Sequence, residues 1–97
     1  MSGSVLNPGV RVVGIKGSNL VEQLTEADEV SGDLTFSAAV EYVEIVNTDA
    51  VNAGVFTVNG VAVKVPPETI FGPAAVGVPA AVVAVAGSAT FIVSRYT

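Results

Sequence analysis

Apolar and polar positions alternate most cleanly between Val55 and Val65, on either side of an Asn59-Gly60 pair. Asn-Gly suits a two-residue type I′ turn, whose two central residues both take positive φ. A hairpin closed by that turn sets Val58 opposite Val61, Thr57 opposite Ala62, Phe56 opposite Val63 and Val55 opposite Lys64. Phe56, Val58, Val61, Val63 and Val65 then share one face, and Val55, Thr57, Ala62 and Lys64 share the other. The alternation on each arm therefore agrees with the register that the turn imposes. Pro66-Pro67 ends the second arm, because neither residue can donate to a ladder.

The same reading predicts a second hairpin near the C-terminus. Val82 to Ala86 and Ala89 to Val93 flank Gly87-Ser88, which is read as a two-residue turn pairing Val85 with Thr90 and Val83 with Ile92. Both faces of that hairpin are apolar, as in a central strand or one covered by a neighbour. Upstream, Val10 to Ile15 reads as a strand. Leu34 to Phe36 and Val40 to Val46 read as two strands or one bent strand, and Asn47-Thr48-Asp49 with Asn52 and Gly54 as the following loop. Between Asn19 and Val30 the pattern is divided. Leu20, Val21, Leu24 and Ala27 follow helical spacing and Asn19 with Glu22 resembles a capping box, so a short helix or a turn fits there. Six to eight short strands make the chain all-β: a small antiparallel β-sandwich or jelly-roll-like barrel, with room for one short helix. Residues 1–9 form an arm of small, uncharged residues, and residues 10–97 a single β domain.

Composition adds a constraint. Of 97 residues 51% are hydrophobic and only 13% charged, against a usual charged share of about 25%. A domain of this size buries only about 60–65% of the surface its unfolded chain exposes. The apolar excess therefore points to burial in an assembly. Net charge is −5, and the basic residues are Arg11, Lys16, Lys64 and Arg95. Four scattered cations cannot build the stripe that nucleic acid or an anionic membrane surface requires. Thr69 to Ser94 is uncharged and long enough to span a bilayer, but Gly72-Pro73, Gly77, Pro79 and Gly87 interrupt it. No basic, apolar leader pattern stands at Met1-Ser2-Gly3-Ser4.

Candidate chemistry is sparse. His and Cys are both absent, which removes the usual general base, the best nucleophile and the commonest zinc ligands. Glu41 and Glu44 lie three apart, on opposite faces of a strand, a geometry that does not favour a glycosidase pair, although carboxylate partners from other strands stay open. Glu22, Glu26, Asp28, Glu29 and Asp33 are oxygen donors without the spacing of an EF-hand loop, and read as a solvated polar segment. Gly14-Ile15-Lys16-Gly17-Ser18 lacks the phosphate-loop spacing and reads as a turn. No catalytic, metal or cofactor site is expected. Tyr42 and Tyr96 are the aromatic residues with a polar tip that a sugar surface would use.

Val43 to Asp49, then Val55 to Val61, then Val65-Pro66-Pro67-Glu68-Thr69 make a strand ending in Asn-Thr, a valine-rich Asn-Gly hairpin, and Pro-Pro. Over Val40 to Thr97 this resembles small structural proteins of tailed bacteriophages, particularly capsid decoration (cement) proteins and related fibre or fibre-base domains. The resemblance implies a β-sandwich or jelly roll on the outside of a virion, made in the host cytoplasm and bound to the major capsid protein. Such proteins are often homotrimers seated where capsid subunits meet, and they supply no catalytic residues. On this reading Val82, Val83, Val85, Phe91, Ile92 and Val93 are expected to pack between subunits. Val5, Leu6, Asn7, Pro8 and Val10 form the expected capsid docking arm. A receptor- or carbohydrate-binding fibre or adhesin module is the alternative.

Overall fold

The computed structural model describes residues 17–97, so the expected strand at Val10 to Ile15 and the arm at residues 1–9 lie outside the described residues. Six antiparallel strands run in the order β1 (Leu20–Thr25), β2 (Asp33–Asn47), β3 (Gly54–Val58), β4 (Val61–Val65), β5 (Thr69–Ala86) and β6 (Phe91–Tyr96). The chain is all-β, and among the described residues it carries one single-turn 3-10 helix, at Glu26–Asp28.

The hairpin around Asn59-Gly60 forms in the expected register, from Val58↔Val61 to Val55↔Lys64, and Gly54↔Val65 extends it. Asn59 and Gly60 take φ of 53° and 76°, as the type I′ turn demands. Phe56, Val58 and Val65 are buried, Val63 is half-buried, and Val61 at the tip is exposed.

The second expected hairpin does not form. β5 and β6 do not pair with each other, because β2 lies between them in the order β1-β6-β2-β5-β3-β4. Nor does β5 break at its Gly and Pro residues; it runs unbroken through Gly72, Pro73, Gly77 and Pro79. The Gly87-Ser88 segment instead carries the chain across the end of β2 into β6. The helical spacing from Leu20 is also overruled. Residues 20–25 pair with β6 as an edge strand, and the capping box belongs to Thr25 and Asp28 rather than Asn19 and Glu22.

Two long strands shape the molecule. The first half of β2 pairs with the last part of β5 (Asp33↔Ala84 to Thr35↔Val82), and its second half pairs with the first part of β5 (Tyr42↔Ala75 to Asn47↔Thr69). Between these ladders β2 spends four residues, Phe36 to Ala39, where β5 spends only Ala81, and β5 then spends Val76 to Pro79 where β2 spends only Glu41. Such bulges bend and twist both strands. One sheet thereby folds over into two layers. The first layer holds β1, β6, the second half of β2 and the first half of β5. The second holds the first half of β2, the last part of β5, β3 and β4.

The core lies between the layers. Leu34, Phe36, Val40, Val43, Ile45, Phe56, Val58, Val65, Val83, Val85, Phe91 and Val93 make one buried cluster. Phe56 of one layer meets Phe91 of the other edge to face, with ring centroids 5.3 Å apart, the geometry favoured by the ring quadrupoles.

Candidate interaction surface

Each end of the sandwich is closed by polar side chains that span it. At one end the buried Asn47 side chain joins three loops. Its Nδ2 donates to the carbonyls of Asn52, Val65 and Pro66 at 2.9–3.2 Å. Its Oδ1 accepts from the Asp49 amide and the Ser88 hydroxyl. Asp49 continues the network, accepting from the amides of Val51, Asn52 and Ala89. The Ala89 amide first, then those of Asn52 and Val51, hold its carboxyl far below the usual carboxylate range, against the opposing effect of burial.

At the other end Glu22 of β1 reaches the bulge of β2. Its carboxylate accepts from the amide and hydroxyl of Ser37 and pairs with Arg95 at 3.0 Å. Burial raises its pKa, but the Ser37 hydrogen bonds and then Arg95 outweigh that and lower it. Other acidic residues serve the backbone: Glu26 accepts from the Phe91 amide and Asp28 from the Thr25 amide. Among the described residues no group of three or more acidic side chains converges where a metal ion could sit. Glu41 is exposed, while Glu44 accepts the Tyr96 hydroxyl. Burial and the Glu44 charge push the Tyr96 phenol above its ordinary value.

No protein-family model, curated protein or solved structure matches this chain. What it can bind is therefore read from its surface. Charge is absent from Thr69 to Ser94, and among the described residues half of the exposed large apolar side chains lie along β5 and the tip beside it, with Leu20, Val21, Val30 and Val51 exposed elsewhere. Val78 is 68% exposed, Val61 62%, Ile70 60% and Val82 43%. Around the bend of β5, Gly77 to Ala80 is exposed without interruption. A groove of about 150 Å³ opens beside it, lined chiefly by Val43, Val58, Val61, Val63, Phe71 and Val76. Among the described residues no helix is long and apolar enough to cross a membrane.

The residues expected between subunits divide. Val83, Val85, Phe91 and Val93 point into the subunit's own core, and Ile92 is half-buried; Val82 alone of the six is exposed. Two-sided apolar character in this segment reflects strands packed within the sheet and against the other layer, and the exposed apolar residues beside it lie at the bend, from Gly77 to Ala80 and at Val82. Val5, Leu6, Asn7, Pro8 and Val10 lie outside the described residues. Residue-by-residue reading missed the Asn47–Asp49–Ser88 network. Its signal was the Asp49-to-Asn52 spacing, in which an Asp side chain accepts amides two and three residues on.

Proposed function

We propose that the chain is a non-enzymatic virion structural protein, a decoration (cement) protein that binds a phage capsid surface as a homo-oligomer, a trimer in the favoured arrangement. The observation that carries this reading is the uncharged, exposed bend of β5 on a frame cross-tied at both ends. Copies carrying a net charge of −5 repel one another, so a self-contact belongs on the stretch that has no charge. We assign Val78 to Val82 to a second copy of the chain, and the arm bearing Val5, Leu6, Asn7, Pro8 and Val10 to the major capsid protein. A cement protein must bridge shell subunits under outward load, and a two-layer sheet with an apolar contact surface suits that task.

Light scattering after size exclusion tests the oligomer, with Val78→Asp expected to dissociate it. A wild-type monomer at micromolar concentration overturns the assignment. Binding to heads that lack the protein tests the capsid partner, and deletion of residues 1–10 is expected to abolish it.

The alternative, a receptor- or carbohydrate-binding module, rests on Tyr42 and Tyr96, which face each other across β2 and β6 with Glu44 beside them. Both rings are half-buried and Gly17 lies against Tyr42, which leaves little aromatic platform for a sugar. A glycan array separates the two readings: binding that Tyr96→Ala removes favours the module.

A further inference from the structure

The Asn side chains of the described residues differ in what holds them. Asn47 is completely buried, and both ends of its amide are engaged. Asn52 donates its Nδ2 to the Asp49 carboxylate. Asn59 makes no side-chain hydrogen bond among the described residues. It is half-buried at the hairpin tip, with Nδ2 3.5 Å from the place a Cβ on Gly77 would take.

The residue that follows each Asn differs as well. Thr48 follows Asn47, Ala53 follows Asn52 and Gly60 follows Asn59. A backbone nitrogen can attack the side-chain carbonyl of the Asn before it and close a five-membered ring, a reaction within one molecule that gains from proximity. A side chain on the attacking residue hinders that approach, and Gly60 has none. Gly60 is exposed, with nothing within 4 Å of the place a Cβ would take. The turn holds Asn59 at φ 53°, and the ring closes once ψ of Asn59 rotates out of the turn. That rotation is local, because Val61 and Ala62 are exposed too, and a thinly packed tip opens without global unfolding.

We propose that Asn59 is a site of spontaneous deamidation, with water as the co-reactant. The Gly60 nitrogen bonds to Cγ of Asn59, the Cγ–Nδ2 bond breaks, and the proton of the Gly60 amide leaves with Nδ2 as ammonia. Water then opens one of the two carbonyl–nitrogen bonds of the resulting succinimide and returns a proton to the nitrogen. Opening at Cγ gives aspartate, and opening at the main-chain carbonyl gives isoaspartate. Isoaspartate adds a methylene to the main chain, which a two-residue turn cannot absorb without losing its register. Both products place a carboxylate on the groove that Asn59 lines with Val58, Val61 and Val63. On the reading that gives the neighbouring bend to a second copy, the added charge weakens that contact. The modification itself does not rest on that reading.

The test uses the wild-type full chain, kept at mildly alkaline pH for several weeks, folded and in parallel in urea. Cleavage after Glu44 and Glu68 yields one peptide that holds Asn47, Asn52 and Asn59, so the three share one exposure. Tandem mass spectrometry reads a gain of one mass unit at each position, and electron-transfer fragmentation separates isoaspartate from aspartate. The expected result in the folded protein is a gain at Asn59, with isoaspartate in the product, while Asn47 and Asn52 keep their mass. No gain at Asn59 in the folded protein overturns the proposal, whether or not the chain in urea converts. An equal gain at Asn52, or aspartate without isoaspartate, overturns it as well. The readout does not depend on oligomer size, so a monomeric wild type leaves it intact.

Discussion

Replacing Asn47 with Ala tests whether the polar network at the end of the sandwich joins the layers. The side chain is completely buried. It donates to three carbonyls, with two N–H groups to share among them, and its oxygen accepts two further bonds. About four independent hydrogen bonds are therefore lost. Each contributes roughly 0.5–1.5 kcal/mol net, and a buried group left without a partner costs about 1–3 kcal/mol. Ser88 is partly exposed and can turn to water, whereas the Val65 carbonyl and the Asp49 amide cannot readily do so. The expected loss is about 3–4 kcal/mol, a large part of the 5–15 kcal/mol typical of a domain. With a urea slope of about 1–1.5 kcal/mol per molar, the midpoint falls by roughly 2–4 M. Asn47→Asp serves as the shape-matched control. It keeps the acceptor but turns the donor into an oxygen facing three carbonyls, so at neutral pH it is expected to cost at least as much. A loss below about 1 kcal/mol for Asn47→Ala, with an unchanged slope, would refute the claim that this side chain ties the loops together.

Other consequences can be read from stability measurements. The Asp49 carboxyl binds its proton more weakly in the folded state than in the unfolded chain. Its contribution is therefore fully present above the unfolded pKa of about 3.9 and is lost as pH falls toward the folded value. Asp49→Asn is expected to flatten the decline between about pH 4 and pH 2 in urea melts, and parallel declines in the two proteins would count against the network. Gly60→Val is expected to cost about 1–2 kcal/mol from backbone conformation alone, since nothing lies within 4 Å of the position its Cβ would take. Gly77→Ala, where a Cβ meets only Asn59 Nδ2 at 3.5 Å, is expected to cost less than about 0.5 kcal/mol in the same urea melts.

Legibility in the sequence followed the range of the interaction. The Asn59-Gly60 hairpin was readable to the residue, because turn type and register are set within eleven residues. The Gly87-Ser88 hairpin was misread for a physical reason. A Gly-Ser turn between two apolar runs carries no information about a third strand, and β2, some forty residues upstream, takes the place between them. From Leu20 to Thr25, pairing with β6 decided against helical spacing, as tertiary contacts commonly override weak local preference. Asn47, Asp49 and Ser88 looked like ordinary turn residues. Only the folded chain brings Ser88 within 2.8 Å of an Asn 41 positions away.

Because β2 and β5 each belong to both layers, neither layer can be completed alone. The pairing that finishes one, such as Leu34 with Val83, joins residues 49 positions apart, and the pairing that finishes the other lies on the same two strands. Closing such long loops comes before any reward from the contacts, which places the chain among slow-folding, high-contact-order proteins. Unfolding should accordingly be all-or-none. Hydrogen exchange at the amides of Ile45 and of Val83, in opposite layers, should report the same opening free energy.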